Sequence, residues 1–253
     1  MIQNFFIKKE AVQERNLLNT IKVVRTEEMI ENPEENIIKN ETENIIEQVE
    51  EKTKEELKDT ERTLKVQRLQ EENSDIVGWL EIPNTTINYP VLQGKDNEYY
   101  MYHNYKKQKS KNGSIFLTKD YDWSIPSSNL LIYGHNMQNG TMFQELLRYK
   151  KEEFYKQHPI IRFTTEKEDA EYEIISVFPS RVYYKSEKNV FRYYYFVNAK
   201  NEAEYNEFVK NAKKASLYDI EATAEYGDPL LTLSTCSYHT EDGRFAVVAR
   251  KRK

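Results

Sequence analysis

The sequence predicts a mainly β domain that closes into a small barrel of seven or eight short strands. From residue 76 onward, β-branched and aromatic residues recur in short runs that are separated by clusters of turn-forming residues. Only two segments of this region carry apolar residues at helical spacing. Many short strands with few helices are typical of small β-barrels.

The predicted strands follow one another between turn signals. Pro83-Asn84 ends the first strand, and the cluster from Gln93 to Asp96 ends the second. Lys111-Asn112-Gly113 indicates a hairpin before the third strand. The fourth is a continuous apolar run, as in buried strands. In order, the predicted strands are residues 77–82, 86–92, 114–118, 129–133, 160–165, 171–182, 230–236 and 244–251.

Helices are predicted at three places. Residues 142–149 and 202–215 interrupt the strands, and the second segment carries an apolar stripe that includes Tyr205 and Phe208. Before the first strand, residues 63–73 are predicted to form a helix that docks Leu64 and Leu69 on the domain.

Composition divides the chain into two parts. Residues 1–60 are dominated by Glu, Lys, Asn, Thr and Gln, and their apolar residues are sparse. This part is predicted to be a polar, acidic stalk, helical or disordered, because it buries too little apolar surface to offset the entropy of ordering. Residues 61–253 are predicted to form one globular domain that includes its docking helix, which is a normal domain size.

The overall composition excludes several classes of function. The formal net charge is −5 and no basic patch is interleaved with aromatic residues, so nucleic acid is not an expected partner. A single cysteine cannot build an internal disulfide framework, nor a structural zinc site, which needs several Cys or His ligands. No metal or other cofactor is expected. No run reaches the roughly 18 apolar residues that span a membrane.

The single cysteine, Cys236, ends a β-rich run, and Arg244 begins the next one eight residues later. A thiol is a useful nucleophile only as the thiolate, so it needs a nearby base or cation. His135 fits this role best, because it follows an apolar run and a glycine and so lies at a strand end or in a loop. These three residue types can perform acyl transfer, with Arg244 as a cationic donor to the developing oxyanion. The alternative is that Cys236 is a buried core residue.

Local motifs around these residues sharpen the interpretation. Thr232-Leu233-Ser234-Thr235-Cys236 surrounds the thiol, Tyr133-Gly134-His135-Asn136-Met137 surrounds the imidazole, and Arg244 precedes an apolar strand. In this order and spacing, they resemble the three motifs of the sortases, whose cysteine motif is Thr-Leu-x-Thr-Cys. Further segments resemble class B of that family, and the resemblance covers residues 75–251. These segments are residues 78–80, 88–91, 96–100, 113–117 and 139–143.

The resemblance implies a closed eight-stranded sortase-like β-barrel with N-terminal helices and a helix inserted between strands six and seven. It also implies a cysteine transpeptidase that cleaves a C-terminal sorting signal after threonine and passes the protein, through a thioester, to a cell-wall amine. Cys236 would be the nucleophile, His135 the acid and base, and Arg244 the group that orients substrate and stabilises the oxyanion. The implied partners are the sorting-signal peptide of a surface protein and a peptidoglycan precursor or another amine acceptor.

Substrate contacts are also predicted. By the resemblance, Ser234 matches a class B position that contacts substrate, and Asn97 and Met101 match a pocket pattern, Asn-x-Tyr-Tyr-Leu, with methionine in place of leucine. Independently of the resemblance, Tyr195, in the run of three tyrosines, is predicted to line a peptide groove. A strand or loop that covers the domain is the alternative for that run.

Other functions and the location complete the set of expectations. A pilin-polymerising sortase would use the same chemistry with a different acceptor, and a non-catalytic surface β-domain would keep its cysteine buried. A papain-like hydrolase places cysteine before histidine, whereas His135 precedes Cys236 here. Class B enzymes are usually tethered by an apolar N-terminal helix, so the expected location is the extracellular face of the cell membrane, with an anchoring segment absent from this chain.

Overall fold

The computed structural model describes residues 33–124 and 129–253, and residues 56–253 form one compact unit. Three short 3₁₀ helices, Tyr99–Met101, Gln144–Lys150 and Tyr193–Tyr195, lie between the main elements. The α-helices are α1 (Pro33–Glu72), α2 (Glu152–Gln157) and α3 (Glu202–Ala215). The strands are β1 (Ile76–Glu81), β2 (Asn88–Gln93), β3 (Ile115–Leu117), β4 (Asn129–Tyr133), β5 (Ile160–Thr164), β6 (Asp169–Arg181), β7 (Leu230–Cys236) and β8 (Gly243–Lys251).

The eight strands close into a barrel in the order β1-β2-β3-β4-β7-β8-β6-β5, and β5 pairs with β1 to complete it. The pairs β2–β3 and β4–β7 are parallel, and the other pairs are antiparallel. The helix α3 lies between the sixth and seventh strands along the chain. The predicted closed eight-stranded barrel with an inserted helix is therefore confirmed, and α1 is the N-terminal helix of the described part of the chain.

The predicted hairpin before the third strand is wrong. β2 and β3 run parallel, so the residues between them must carry the chain back along the barrel and cannot form a tight turn. Gly113 is part of this return path and has a φ of 57°, a conformation that glycine adopts without strain. A Cβ at this position would lie 2.5 Å from the carbonyl oxygen of Met101.

One apolar cluster fills the barrel and another covers its outer wall. Along β8, Phe245 and Val247 point into the barrel, whereas Ala246 and Val248 pack in the outer cluster. Tyr205 and Phe208 of α3 belong to the same outer cluster and are almost fully buried. The strands β7 and β8 are therefore buried on both faces, which explains the continuous apolar run of residues 245–249 in β8. In β7, the polar residues Thr232, Ser234 and Thr235 are buried as well.

The C-terminal half of α1 packs against a third, smaller cluster. Val66 is fully buried, and Leu69 packs against a cluster of Ile76, Leu92, Tyr100 and Phe116. The helix predicted over residues 63–73 is the last part of the much longer α1, and its most buried apolar residue is Val66, whereas Leu64 is only half-buried.

A group of charges also ties α1 to the barrel. Asp169, at the start of β6, accepts hydrogen bonds from Arg62 of α1 at 3.0 Å and from Arg162 of β5 at 2.7 Å. The hydroxyl of Thr164 donates to the same carboxylate. Burial alone would raise the pKa of Asp169, but these three partners together lower it.

The remaining predicted elements have mixed outcomes. The segment predicted as a helix at residues 142–149 is the 3₁₀ helix Gln144–Lys150, and α2 follows it directly. Of the predicted stalk, residues 1–32 lie outside the described residues, and residues 33–60 belong to α1. The stalk itself stays a prediction. None of the helices in the described ranges is both long and apolar enough to cross a membrane.

Candidate active site

Cys236 and Arg244 face each other across the last two strands. Cys236 is the final residue of β7, and its partner in the antiparallel register with β8 is Arg244. The turn that joins them is tight at Gly243, where a Cβ would lie 1.9 Å from the carbonyl oxygen of Ser237. Glycine at this position therefore allows the short connection that brings the guanidinium beside the thiol.

His135 reaches the same edge of the barrel from the neighbouring strand. β4 runs parallel to β7, and its last residue, Tyr133, pairs with Ser234. Gly134 continues the ladder, because its N–H donates to the carbonyl of Ser234 at 3.2 Å. A side chain at Gly134 would collide with Ile115 and Phe143 at 2.4 and 2.7 Å. The glycine before the histidine is thus required by packing.

Two side chains fasten the histidine loop to the end of β7. The hydroxyl of Thr235 donates to the carbonyl of Gly134 at 2.7 Å, and this bond is buried. The amide of Asn136 donates to the carbonyl of Cys236 at 3.1 Å. Each bond joins a residue next to His135 with Cys236 or its neighbour, so the relative position of the imidazole and the thiol is held from both sides.

The orientation of the imidazole is set by a backbone carbonyl. Nε2 of His135 lies 2.8 Å from the carbonyl oxygen of Met101. A carbonyl oxygen only accepts hydrogen bonds, so Nε2 carries a proton. Nδ1 is then the ring nitrogen that is left to exchange a proton with a thiol or a leaving amine.

The guanidinium of Arg244 folds over its own turn. Nη1 donates to the carbonyl of Gly243 at 3.0 Å and to that of Asp242 at 3.3 Å. The side chain is half-buried and lines the same pocket as His135 and Cys236. A guanidinium at this place can stabilise negative charge on a substrate oxygen.

Six of the seven predicted site residues line one pocket of about 210 Å³ at this edge of the barrel. Its walls are largely apolar, and most of its polar groups lie where β4 and β7 end and β8 begins. The ten lining residues are Asn97, Met101, Phe116, Tyr133, Gly134, His135, Ser234, Thr235, Cys236 and Arg244. An apolar pocket with a few converging polar groups is the usual form of a substrate site.

The amide side chain of Asn97 is held at the pocket wall. Its Oδ1 accepts a hydrogen bond from the backbone N–H of Lys119 at 2.8 Å, and its Nδ2 lies 3.4 Å from the hydroxyl of Thr118. These bonds attach the loop after β2 to the residues that follow β3. The contact with substrate that the sequence suggests for Asn97 stays a prediction.

Tyr195 lies apart from the other six predicted residues. Its side chain is 69% exposed and lines a separate cavity of about 680 Å³ beside α3, together with Phe196 and Phe208. Its neighbour Tyr193 is instead fully buried, and its hydroxyl lies 2.7 Å from the Oγ of Ser234. Of the three consecutive tyrosines, Tyr193 is therefore the one that reaches β7, the strand that ends at Cys236.

The phenol of Tyr193 stays protonated and serves as a structural support for Ser234. Burial raises the pKa of its phenol far above the usual range, although the bond to Ser234 and the nearby Arg244 act in the opposite direction. The phenol is therefore protonated at every physiological pH and can donate a hydrogen bond to Ser234.

Sequence reasoning missed several lining and supporting residues, among them Tyr193, Phe116 and the Asn136 amide. The run of three tyrosines was a visible signal, but the buried member cannot be told from the exposed ones in the sequence. Asn136 follows His135 directly in the sequence, and this position next to a candidate catalytic residue could have indicated a supporting role.

Comparisons with known proteins agree with this geometry. A family model described as the sortase domain matches residues 80–252. Sortase B of Listeria monocytogenes is 35% identical over 187 residues, which cover 72% of this chain and 72% of that protein. The solved structure of Clostridium perfringens sortase B has a TM-score of 0.67 at 31% identity, over 74% of this chain and 99% of that one.

Two further similar structures contain ligands. The structure of the Staphylococcus aureus sortase B–substrate complex has a TM-score of 0.65 at 29% identity, over 74% of this chain and 84% of that one. A structure of sortase B complexed with triglycine has a TM-score of 0.66 at 30% identity, over 74% of this chain and 85% of that one.

Proposed function

This chain belongs to the sortase family, in its class B of cysteine transpeptidases, and we propose that it joins a sorting signal to a cell-wall amine. In this proposal, the substrate is the C-terminal sorting signal of a surface protein, which is cleaved after threonine. The acceptor is a peptidoglycan precursor or another amine. The site of action is the extracellular face of the cell membrane, where both substrates are found.

The observation that carries the proposal is the meeting of Cys236, His135 and Arg244 at the ends of three adjacent strands, in one apolar pocket. The thiol is half-buried and lines the pocket, so it can meet a substrate carbonyl. The pocket walls are largely apolar and suit the apolar side chains of a peptide substrate.

In the proposed first half-reaction, the Cys236 thiol transfers its proton to Nδ1 of His135, and the sulfur attacks the carbonyl carbon of the threonine to form a C–S bond. The carbonyl oxygen becomes an oxyanion, which the guanidinium of Arg244 stabilises. When the tetrahedral intermediate collapses, the peptide C–N bond breaks and Nδ1–H of His135 protonates the leaving amine. The product is a thioester between Cys236 and the threonine acyl group.

The second half-reaction reverses the direction of proton transfer. The acceptor amine attacks the thioester carbonyl, and Nδ1 of His135 takes the proton from the attacking nitrogen. The C–S bond then breaks, which releases the new amide and restores the thiolate.

The ligands named for the similar enzymes support the two substrate classes. One S. aureus sortase B structure holds substrate, and another sortase B structure holds triglycine, a peptide with a free amine.

The test is turnover of a panel of fluorogenic sorting peptides with and without amine acceptors, followed by mass spectrometry of the products. We expect cleavage after threonine, an acyl adduct on Cys236 and a ligated product only when an amine is present. Cys236→Ala should abolish both the adduct and cleavage while the fold is retained. His135→Ala should lower the rate by about 10²–10⁴-fold.

Particular outcomes would contradict the proposal. Turnover or an adduct in Cys236→Ala would remove the nucleophile from its role. A wild-type thiol that resists alkylation, together with no cleavage of any peptide, would indicate a non-catalytic β-domain. Ligation only to the lysine side chain of a protein acceptor would identify a pilin-polymerising enzyme and would rule out the cell-wall acceptor.

A further inference from the structure

The carbonyl that orients His135 belongs to the short 3₁₀ helix Tyr99–Met101, which lies outside the barrel wall. A helix of three residues has little stability of its own. The position of the Met101 carbonyl therefore depends on what holds this segment in place.

The side chain of Tyr100 anchors the segment to the start of the barrel. Tyr100 is 1% exposed, and its hydroxyl donates to Oδ2 of Asp75 at 2.6 Å. The amide of Asn73 lies 3.4 Å from the same hydroxyl. Asn73 and Asp75 occupy the junction between α1 and β1, so the anchor point belongs to a different part of the chain from the 3₁₀ segment.

The backbone of the segment is held as closely as its side chain. The N–H of Ser114 donates to the carbonyl of Tyr100 at 2.8 Å. Gly113 passes so near that a Cβ would lie 2.5 Å from the carbonyl oxygen of Met101 and 2.6 Å from that of Tyr100. The Met101 carbonyl thus has a restricted position between this return path and the imidazole.

Asp75 is suited to a strong hydrogen bond with Tyr100. Its carboxylate also pairs with the ammonium of Lys107 at 2.9 Å. Burial alone would raise the pKa of Asp75, but the bonds from Tyr100 and Lys107 lower it. The carboxylate is therefore charged at neutral pH, and hydrogen bonds to charged acceptors are stronger than those between neutral groups.

We propose that Tyr100 and Asp75 are positioning residues for His135, which act through the Met101 carbonyl and keep the proton on Nε2 of the imidazole. Neither residue lines the reaction pocket, and neither touches the reacting atoms. Without this anchor, the 3₁₀ segment moves and the imidazole is free to turn and to exchange tautomers. Because misplaced catalytic groups can reduce rates by up to about 10²-fold, the effect falls on turnover.

The experiment compares Tyr100→Phe with a matched control, Tyr149→Phe. Tyr149 is also fully buried, and its hydroxyl donates to the carbonyl of His158 at 2.7 Å, away from the pocket. Both substitutions delete one hydroxyl from a buried ring. We expect Tyr100→Phe to lower kcat about tenfold or more while KM changes little, and Tyr149→Phe to leave kcat unchanged.

A second readout does not depend on turnover. The chain has four histidines, so the ¹⁵N signals of His135 can be assigned by comparison with His135→Ala. At alkaline pH, the wild type should show the Nε2–H tautomer at His135, and Tyr100→Phe should show a mixture. Asp75→Asn, which keeps an acceptor oxygen for Tyr100, should retain most of the turnover and the single tautomer, whereas Asp75→Ala should behave like Tyr100→Phe.

The positioning role of Tyr100 and Asp75 rests on the proposed function only where it is tested through kcat. If wild-type protein turned over no peptide, the proposed function would fail, and the tautomer of His135 would still test the positioning role. An unchanged tautomer and kcat in Tyr100→Phe and Asp75→Ala, whatever their melting temperatures, would show that the two residues only stabilise the fold. Asp75→Ala keeps the Tyr100 ring in the core, so it provides the test if Tyr100→Phe does not fold.

Discussion

Within the described residues, the hydrogen bonds of Arg244 run from its Nη1 to two backbone carbonyls of its own turn, at 3.0 and 3.3 Å. These bonds restrain the guanidinium, and in the proposed function its other N–H groups bind the substrate. A lysine at this position would keep the charge, but it would lose the planar fork that donates in two directions at once.

Arg244→Lys should therefore reduce kcat/KM by about 10²–10³-fold, the usual cost of removing one oxyanion donor. The measurement is steady-state cleavage of the best peptide from the panel. Arg250→Lys is the matched control, because Arg250 is also on β8 but pairs with Glu173 at 2.9 Å, away from the pocket. Near wild-type activity in Arg244→Lys would mean that Arg244 is merely a surface charge.

Residue types and motifs predicted which reactive side chains the structure brings together, but not what holds them. Cys236, His135 and Arg244 could be selected because few residue types perform acyl transfer. The Met101 carbonyl could not be predicted, since every residue has a carbonyl and only the folded chain shows which one faces the imidazole. Tyr193 was missed for a related reason, because its burial depends on the packing of α3 against the barrel.

Among the elements, β4, β7 and α3 have the predicted bounds, 129–133, 230–236 and 202–215. Each begins or ends at a clear local signal, such as Asn201, whose side chain accepts a hydrogen bond from the N–H of Glu204 and caps α3. The parallel pairing of β2 with β3 was not predictable from local signals. A turn cluster does not reveal the direction of the next strand when a long connection, here residues 94–114, lies between the two strands.

The helix α1 offers a prediction about truncation. The buried Val66, the cluster contact of Leu69 and the bond from Arg62 to Asp169 all lie after residue 55. Deletion of residues 1–55 should leave peptide turnover and the melting temperature nearly unchanged. Deletion of residues 1–72 should lower the free energy of unfolding by about 2–4 kcal/mol, because one apolar side chain loses full burial and a second loses part of it.

Thermal denaturation and peptide turnover of the two truncated proteins check this prediction. The shorter deletion serves as the control for the longer one. Loss of turnover after deletion of residues 1–55, with an unchanged melting temperature, would show that the acidic region contributes to the active site and is not a spacer.

For the whole molecule, two buried carboxylates that join distant segments should determine its sensitivity to acid. Asp169 joins α1, β5 and β6, and Glu145 accepts a bond from the N–H of Thr86 at 2.7 Å and pairs with Arg148 at 2.6 Å. Burial alone would raise the pKa of Glu145, but the bonds from Thr86 and Arg148 lower it, as the partners of Asp169 do for that residue.

Both carboxyl groups thus have a lower pKa in the folded than in the unfolded chain, so they stabilise the fold above their unfolded pKa values, about 4. This contribution is lost as pH falls through the folded values, and we expect the melting temperature to decrease progressively below about pH 5. Asp169→Asn should lower the free energy of unfolding by about 1.5–3 kcal/mol at neutral pH. It should also make the decrease of the melting temperature with falling pH shallower.

Calorimetry across the acid range tests this expectation. Glu207→Gln removes an exposed carboxylate of α3 and is the control. An equally steep decrease in Asp169→Asn and in the wild type would assign the acid sensitivity to other groups.

The parallel pairing of β4 with β7 has a consequence for how the molecule folds. The amide of Asn136 and the carbonyl of Cys236 are bonded across a sequence separation of 100 residues, and β7 and β8 are the last two strands along the chain. Contacts between such distant segments form slowly, because the entropy of closing a long loop is lost before the contacts stabilise it. We therefore expect the thiol, imidazole and guanidinium to meet late in barrel assembly. Until they meet, a newly made chain carries the three side chains but not the site that they form.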